Sequence, residues 1–278
     1  MNAPHCFRAS FNGRHVAIEC GTDWLAIELQ RRLGHIAISP FSANPAILRI
    51  TLDELEVSWI EVRDSSGRCQ RGSFEYASYH VRKWMTAAFV AADPDLTWLH
   101  AAAASVDGHA ILLAGPAGAG KSTLLVHLID RAWHLLADDV VALRAECGEA
   151  LPLPFSPEIR VATTGPVRDW PEFLEQPKTL ATIAANRVAT KSASVAAVVF
   201  PEYARDLARP VLKPLTVVSA TQALATQALG ARGGGGNIGG LFHLAQRIPC
   251  YRLRYADPSA AADRLSCDLP PLSRSVRL

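Results

Sequence analysis

Charge of either sign is in short supply as an excess: 28 lysines and arginines face 26 aspartates and glutamates, for a formal net charge of +2. No acidic or basic run occurs. Neither nucleic acid nor an anionic membrane surface is therefore expected as the main partner. The six cysteines, at 6, 20, 69, 147, 250 and 267, lie far apart with no C-x-x-C spacing. That pattern suits reduced thiols better than a disulfide frame and makes the cytoplasm the expected compartment. No window approaches the roughly 18 consecutive apolar residues of a membrane-spanning helix, and Met1-Asn2-Ala3-Pro4-His5-Cys6 lacks a basic-then-apolar export pattern. Internal repeats are absent too. A chain of 278 residues can bury a sizeable core, as one large domain or a small one joined to a larger.

What is present is Gly115-Pro116-Ala117-Gly118-Ala119-Gly120-Lys121-Ser122, a complete G-x-x-x-x-G-K-[ST] loop between an apolar run at 110–114 and a helical pattern at 122–132. Glycines let the backbone curl so that successive N–H groups face phosphate oxygens, and the following helix presents its positive end there. The expected ligand is a nucleoside triphosphate with Mg2+, held by residues 115–122 and by Thr123 at the start of the helix, ATP being the one a kinase would use. Lys121 is expected to reach the β and γ phosphates, and Ser122 to place its hydroxyl on Mg2+, a hard ion that prefers oxygen. Lysine is scarce, at 83, 121, 178, 191 and 213 only, so few others could replace Lys121.

Organisation changes along the chain. Short alternating runs at 15–19, 47–50 and 57–62 predict strands of a half-exposed sheet. Residues 23–33 carry apolar positions at helical spacing behind Asp23 as a cap, and a longer helix is expected over 76–92, ended by Asp93-Pro94-Asp95. Residues 1–94 thus form a small α+β domain, and residues 95–278 a second one. From Leu96 the runs become apolar on both faces, at 98–106, 110–114, 135–137 and 140–143, as in a layered α/β sheet. Residues 151–180 are rich in proline. Further strands are expected at 195–200 and 215–219, a helix at 221–229, and then helix, strand and helix at 238–247, 250–255 and 258–265. Between them lies Gly233 to Gly236, too flexible to hold one shape unaided.

Sixteen residues after Ser122, Asp138-Asp139 closes the apolar run 135–137. A carboxylate there can hold Mg2+ or take a proton from an attacking hydroxyl; the pair is equally at home in a turn between two strands. His100, on an apolar run, fits a core position as well as a site. Glu158, in Pro157-Glu158-Ile159-Arg160, could be solvated surface.

Leu99-His100, Val106-Asp107-Gly108, the loop 115–122 and Leu135-x-Ala137-Asp138-Asp139, in that order and spacing, resemble the catalytic domain of bacterial HPr kinase/phosphorylase, over about 96–162. Gly236-Asn237-Ile238 is a weaker echo. The resemblance implies a P-loop kinase domain related to PEP carboxykinase, acting on a seryl hydroxyl of a peptide or small protein. By the same resemblance, Asp138 is the base, His100 and Asp139 support it, and Glu158 and Asp139 join Ser122 in holding Mg2+; family members often form homo-oligomers. Residues 1–95 do not resemble that family's regulatory domain, and Gly233 to Gly236 replaces a more basic stretch. These departures direct the expectation away from HPr and toward kinases of lasso-peptide precursors, which modify a C-terminal serine. Competing readings are a kinase for another small protein or metabolite, and a nucleotide-dependent module that binds a peptide without transfer, offering a sheet edge to it. A transporter ATPase needs a later acidic strand end and a signature loop that is not found here.

Overall fold

The computed structural model describes residues 5–40, 45–56, 59–160, 178–230 and 238–269. The chain divides into two compact units, Met1–Pro94 with Arg160–Thr179, and Asp95–Ile159 with Leu180–Leu278. The second unit is thus interrupted in sequence by a segment that groups with the first, most of it outside the described residues.

The first unit runs β1 (His5–Phe11), β2 (Arg14–Cys20), α1 (Asp23–Leu33), β3 (Ala37–Pro40), β4 (Leu48–Glu56), β5 (Trp59–Asp64), β6 (Cys69–Gly72) and α2 (Phe74–Ala92). One six-stranded sheet results, in the order β3-β1-β2-β4-β5-β6. Asn12 and Gly13 both take positive φ, 47° and 76°, as a two-residue hairpin turn between right-twisted strands requires. Alternate strand residues such as Ala9, Val16, Ile18, Ile50, Leu52 and Val62 are wholly buried, as are Leu25 and Leu29 of α1 and Val81, Met85 and Phe89 of α2. The period-2 and period-3.6 patterns meet in one core, with Phe89 5.6 Å from Phe11 between ring centres. The cap of α1 is Thr22, whose hydroxyl accepts the Leu25 N–H, rather than Asp23, which occupies the first turn and still favours the helix electrostatically. Ser73 caps α2 in the same way, and Asp93 ends it.

After α2 follow β7 (Thr97–Leu99), β8 (Ala101–Val106), β9 (His109–Ala114), α3 (Lys121–Ile129), β10 (His134–Ala137), β11 (Val141–Arg144), β12 (Glu149–Leu151), β13 (Glu158–Arg160), β14 (Lys178–Leu180), β15 (Ala193–Tyr203), β16 (Val211–Pro214), α4 (Val217–Ala225), β17 (Ala228–Leu229), α5 (Ile238–Arg247), β18 (Cys250–Tyr255) and α6 (Pro258–Asp268). All but β13 and β14, which pair with each other, belong to one ten-stranded sheet. β9, β15 and β18 run parallel, and β8 is antiparallel to both β9 and β10. β10 therefore points the same way as β9. α3 and α6 cover one face, setting Leu124, Leu125, Leu128, Ala261, Ala262 and Leu265 into the same core cluster as Ile111, Leu113 and Leu253.

Two expectations need correction. The run 98–106 is not one strand: β7 pairs with β11 and β17, β8 with β9 and β10, and the chain changes neighbours at His100. Residues 215–219, whose β-branched composition suggests a strand, instead begin α4, because the Thr216 hydroxyl accepts the Ser219 N–H and caps a helix whose Ala220 and Leu224 are buried. That helix ends at Ala225, and Ala228–Leu229 pairs with β7. Strand residues 57–58 and the glycines 233–236 lie outside the described residues. Among those described, no helix is long and apolar enough to cross a membrane.

Candidate active site

Strand directions bring the polar residues together. Ala114, the last residue of β9, stands opposite Ala101, the first of β8, and Ala137, the last of β10, stands opposite Ala103. The loop after β9, the pair after β10 and the residue before β8 consequently share one end of the sheet. Ligands in open α/β sheets bind beyond the carboxyl ends of strands.

The loop is shaped by backbone geometry. Gly120, at φ 89°, is the N-cap of α3, and no side chain caps that helix. Its positive end is thus not neutralised by a capping side chain and suits an anion. A Cβ at Gly120 would fall 2.1 Å from the Tyr255 hydroxyl oxygen, so glycine is required here for space as well as for φ. Tyr255 closes β18 and donates its O–H to the Ala119 carbonyl at 3.4 Å. Burial, and secondarily Tyr203, push its pKa up to about 12, so the phenol remains a donor beneath the loop at neutral pH.

Lys121 is only 7% exposed, and its ammonium spends its three protons inward: on the carbonyls of Gly115 (2.7 Å) and Pro116 (3.0 Å) and on His100 Nε2 (3.0 Å). An ammonium can only donate, so Nε2 offers a lone pair. The ring proton then sits on Nδ1, which donates to the Asp139 carbonyl at 3.0 Å with the Asp139 carboxylate at 3.4 Å. His100 is a neutral relay between Asp139 and Lys121. Its own N–H is tied to the Gln227 carbonyl at 2.7 Å. Asp139 takes φ 71°, a left-handed conformation that Asp tolerates better than most side chains, and this turns its carbonyl toward His100.

Asp138 is 2% exposed and accepts the Ser122 hydroxyl at 3.0 and 3.1 Å on its two carboxylate oxygens. The hydroxyl and carboxylate make a pair of hard oxygen donors. Asp138 and Asp139 also form the bend between β10 and β11, so turn and site describe the same two residues. Glu158 begins β13 in the separate ribbon with β14, and the chain reaches it after Leu153 has hydrogen-bonded Leu136 beside β10. Among the described residues, no three His, Cys, Asp or Glu side chains are grouped to hold a metal ion. Any Mg2+ held here would lean on the Ser122 hydroxyl as well as carboxylates.

A glycine cradle with no room for a Cβ, uncapped helix N–H groups, a buried lysine and a hydroxyl–carboxylate pair fit a magnesium nucleotide. Tyr255 and Gln227 were not legible as site residues. Tyr255 is simply the last residue of a strand, and Gln227 acts through its backbone.

No protein-family model and no curated protein sequence matches the chain. Among solved structures, the Hpr(Ser) kinase/phosphatase from Coxiella burnetii is similar at 17% identity, over 64% of this chain and 93% of that one, with a TM-score of 0.31.

Proposed function

We propose that the protein is a kinase that uses ATP as phosphoryl donor, with Mg2+, and a seryl hydroxyl of a peptide or small protein as acceptor. The observation that carries this reading is the meeting, at one sheet end, of a phosphate loop with a turn that bears two carboxylates, so that one can hold Mg2+ and the other can take a proton from an attacking hydroxyl. The residues that would hold the nucleotide are 115–123, and Mg2+ would rest on Ser122 with Asp138, Asp139 or Glu158 as oxygen donors. When bound, Mg2+ supplies neutralisation of phosphate charge.

The chain's own groups account for the rest. Lys121 holds positive charge where negative charge accumulates, and His100 keeps that ammonium from wandering. Asp138 takes the proton that the seryl hydroxyl loses, a role for a carboxylate shielded from bulk water. We further propose a lasso-peptide precursor as substrate, phosphorylated at its C-terminal serine. Support for this finer reading comes from the sequence resemblance and from an N-terminal unit unlike a regulatory domain.

Incubation with ATP, Mg2+ and candidate peptides, followed by mass spectrometry, tests the reading. The expected result is a gain of about 80 Da, one phosphoryl group, on a serine. Intact nucleotide binding with no such gain, on HPr or on any peptide encoded beside the gene, would leave the binding-module reading in its place.

A further inference from the structure

The first unit holds a cavity of its own, of about 470 Å³, walled by β6 and the turn before it on one side and by α2 on the other. Its chemistry is one-sided. Arg68, Gln70, His80, Lys83 and Trp84 line it together with Cys69 and Ala87; much of the wall is apolar, its charged side chains are cationic, and among the described residues no carboxylate lines it.

Arg68 is held in advance of any ligand. Its guanidinium donates to Asp64 at 2.5 Å and lies 5.0 Å over the Trp84 ring. The Asp64 side chain is wholly buried and also accepts the N–H groups of Ser66 and Arg68 and the Ser66 hydroxyl. Burial alone would raise its pKa, but the hydrogen bonds from Ser66 and Arg68 outweigh it and hold the carboxyl below its ordinary value. Asp64 thus balances Arg68 from outside the cavity, and Arg68 keeps N–H groups to spare.

The other donors are less engaged. Gln70 spends its carbonyl on the Tyr76 hydroxyl at 2.8 Å, which leaves its amide N–H groups. Lys83 lies 5.7 Å over the Tyr79 ring and has no carboxylate partner among the described residues. His80 is packed among Tyr76, Tyr79 and Trp84, and its Nδ1 is enclosed without a hydrogen-bond partner. An enclosed N–H without an acceptor is costlier than an enclosed lone pair, so the ring proton sits on Nε2, one more donor. A set of donors with Lys83 as the unbalanced charge calls for an acceptor-only monoanion, a carboxylate.

The wall is also a sheet edge. β6 pairs with β5 alone among the described strands, so its outer backbone groups suit an added strand. A single carboxylate would leave most of 470 Å³ empty, whereas a side chain with its adjoining backbone fills it. We propose that this cavity binds a carboxylate of an extended peptide that lies along β6, with Lys83, His80, Gln70 and Arg68 as its donors. The inference deepens the peptide-kinase reading and rests on it for the partner being a substrate; the site lies wholly within the first unit.

The test is a selection from randomised decapeptide libraries, one with amidated and one with free C-termini, on the purified full-length protein without nucleotide or Mg2+. The expected result is enrichment of Asp or Glu at a fixed position in the amidated library. That preference should fall about tenfold in Lys83→Ala, equivalent to one charge-assisted hydrogen bond, and return in Lys83→Arg. Binding that needs a free C-terminus and falls in Lys83→Ala assigns the carboxylate to the peptide end and still supports the site. Lys83 is exposed, so its replacement is compatible with folding; His80→Gln supplies an independent second loss. No preference for a side-chain or a terminal carboxylate, or the same preference in Lys83→Ala, overturns the inference even where seryl phosphorylation is observed. Conversely, a selected peptide that binds without ever gaining phosphate leaves this site standing and removes the kinase reading. With a phosphorylated peptide in hand, Lys83→Ala should raise KM and leave kcat unchanged, since Lys83 is given a part in holding the peptide and none in the transfer.

Discussion

The two units treat polar side chains in opposite ways. At the sheet end in the second unit, polar groups satisfy each other: Lys121 is spent on two carbonyls and His100, His100 on Asp139, and Ser122 on Asp138. Beside β6 in the first unit, donors converge on a cavity that no carboxylate lines among the described residues. A closed network holds a geometry ready for chemistry, since each buried group fixes its neighbour. An open set of donors awaits an acceptor from outside. The difference teaches that one chain can hold polar side chains in a closed network at one place and leave donors unsatisfied by carboxylates at another, the first arrangement suiting the proposed transfer and the second the proposed recognition.

That contrast can be broken most sharply at its closed end. Asp138→Asn keeps the shape but removes proton-accepting capacity, and transfer should drop by about 10²–10⁴-fold while nucleotide binding, read by fluorescence titration, stays near the native level. Lys121→Ala should fail differently, through weakened nucleotide binding. Equal loss of binding in the two variants would take the base role from Asp138 and make it a Mg2+ holder only.

A smaller effect is expected at the cradle. Gly120→Ala must place a Cβ against the Tyr255 hydroxyl and keep φ near 89°, which should cost about 1–3 kcal/mol of stability, measurable by chemical unfolding. Most of the steric part should vanish when the same change is made in Tyr255→Phe, because the contact is with the hydroxyl oxygen. Additive losses in the double variant would show that φ alone, and not Tyr255, demands glycine.

The smallest effect belongs to the open end. Asp64 has its folded pKa below the unfolded value of about 3.9, so its contribution to stability is full above that value and is lost as pH falls through the folded one. Asp64→Asn should therefore lower the unfolding midpoint at pH 7 by a few degrees, and the gap from the native protein should close below about pH 4. A gap unchanged in acid would mean that Asp64 acts by shape and not by charge.

Local signals carried a good part of this molecule. The phosphate loop depends on glycines and a lysine at fixed spacing, and α1, α2 and β9 depend on periodicity and caps, all of which are written within a dozen residues. The run 215–219 reads as a strand but begins a helix for a physical reason: a short apolar segment suits a strand or a helix equally until its neighbours are known. The break at His100 arises because β7 and β8 find different partners, and no residue near it announces that. Likewise Tyr255 and Gln227 enter the site from strands and turns more than a hundred residues away from the loop.

The sequence by itself determined which groups are available: a backbone able to curl around phosphate, one lysine, one hydroxyl and a pair of carboxylates. Only the tertiary structure decided how they are paired and protonated. Strand direction carries Asp138 to Ser122 and His100 to Lys121, and a proton's position depends on which partner stands within about 3 Å, a distance that spacing along the chain does not encode.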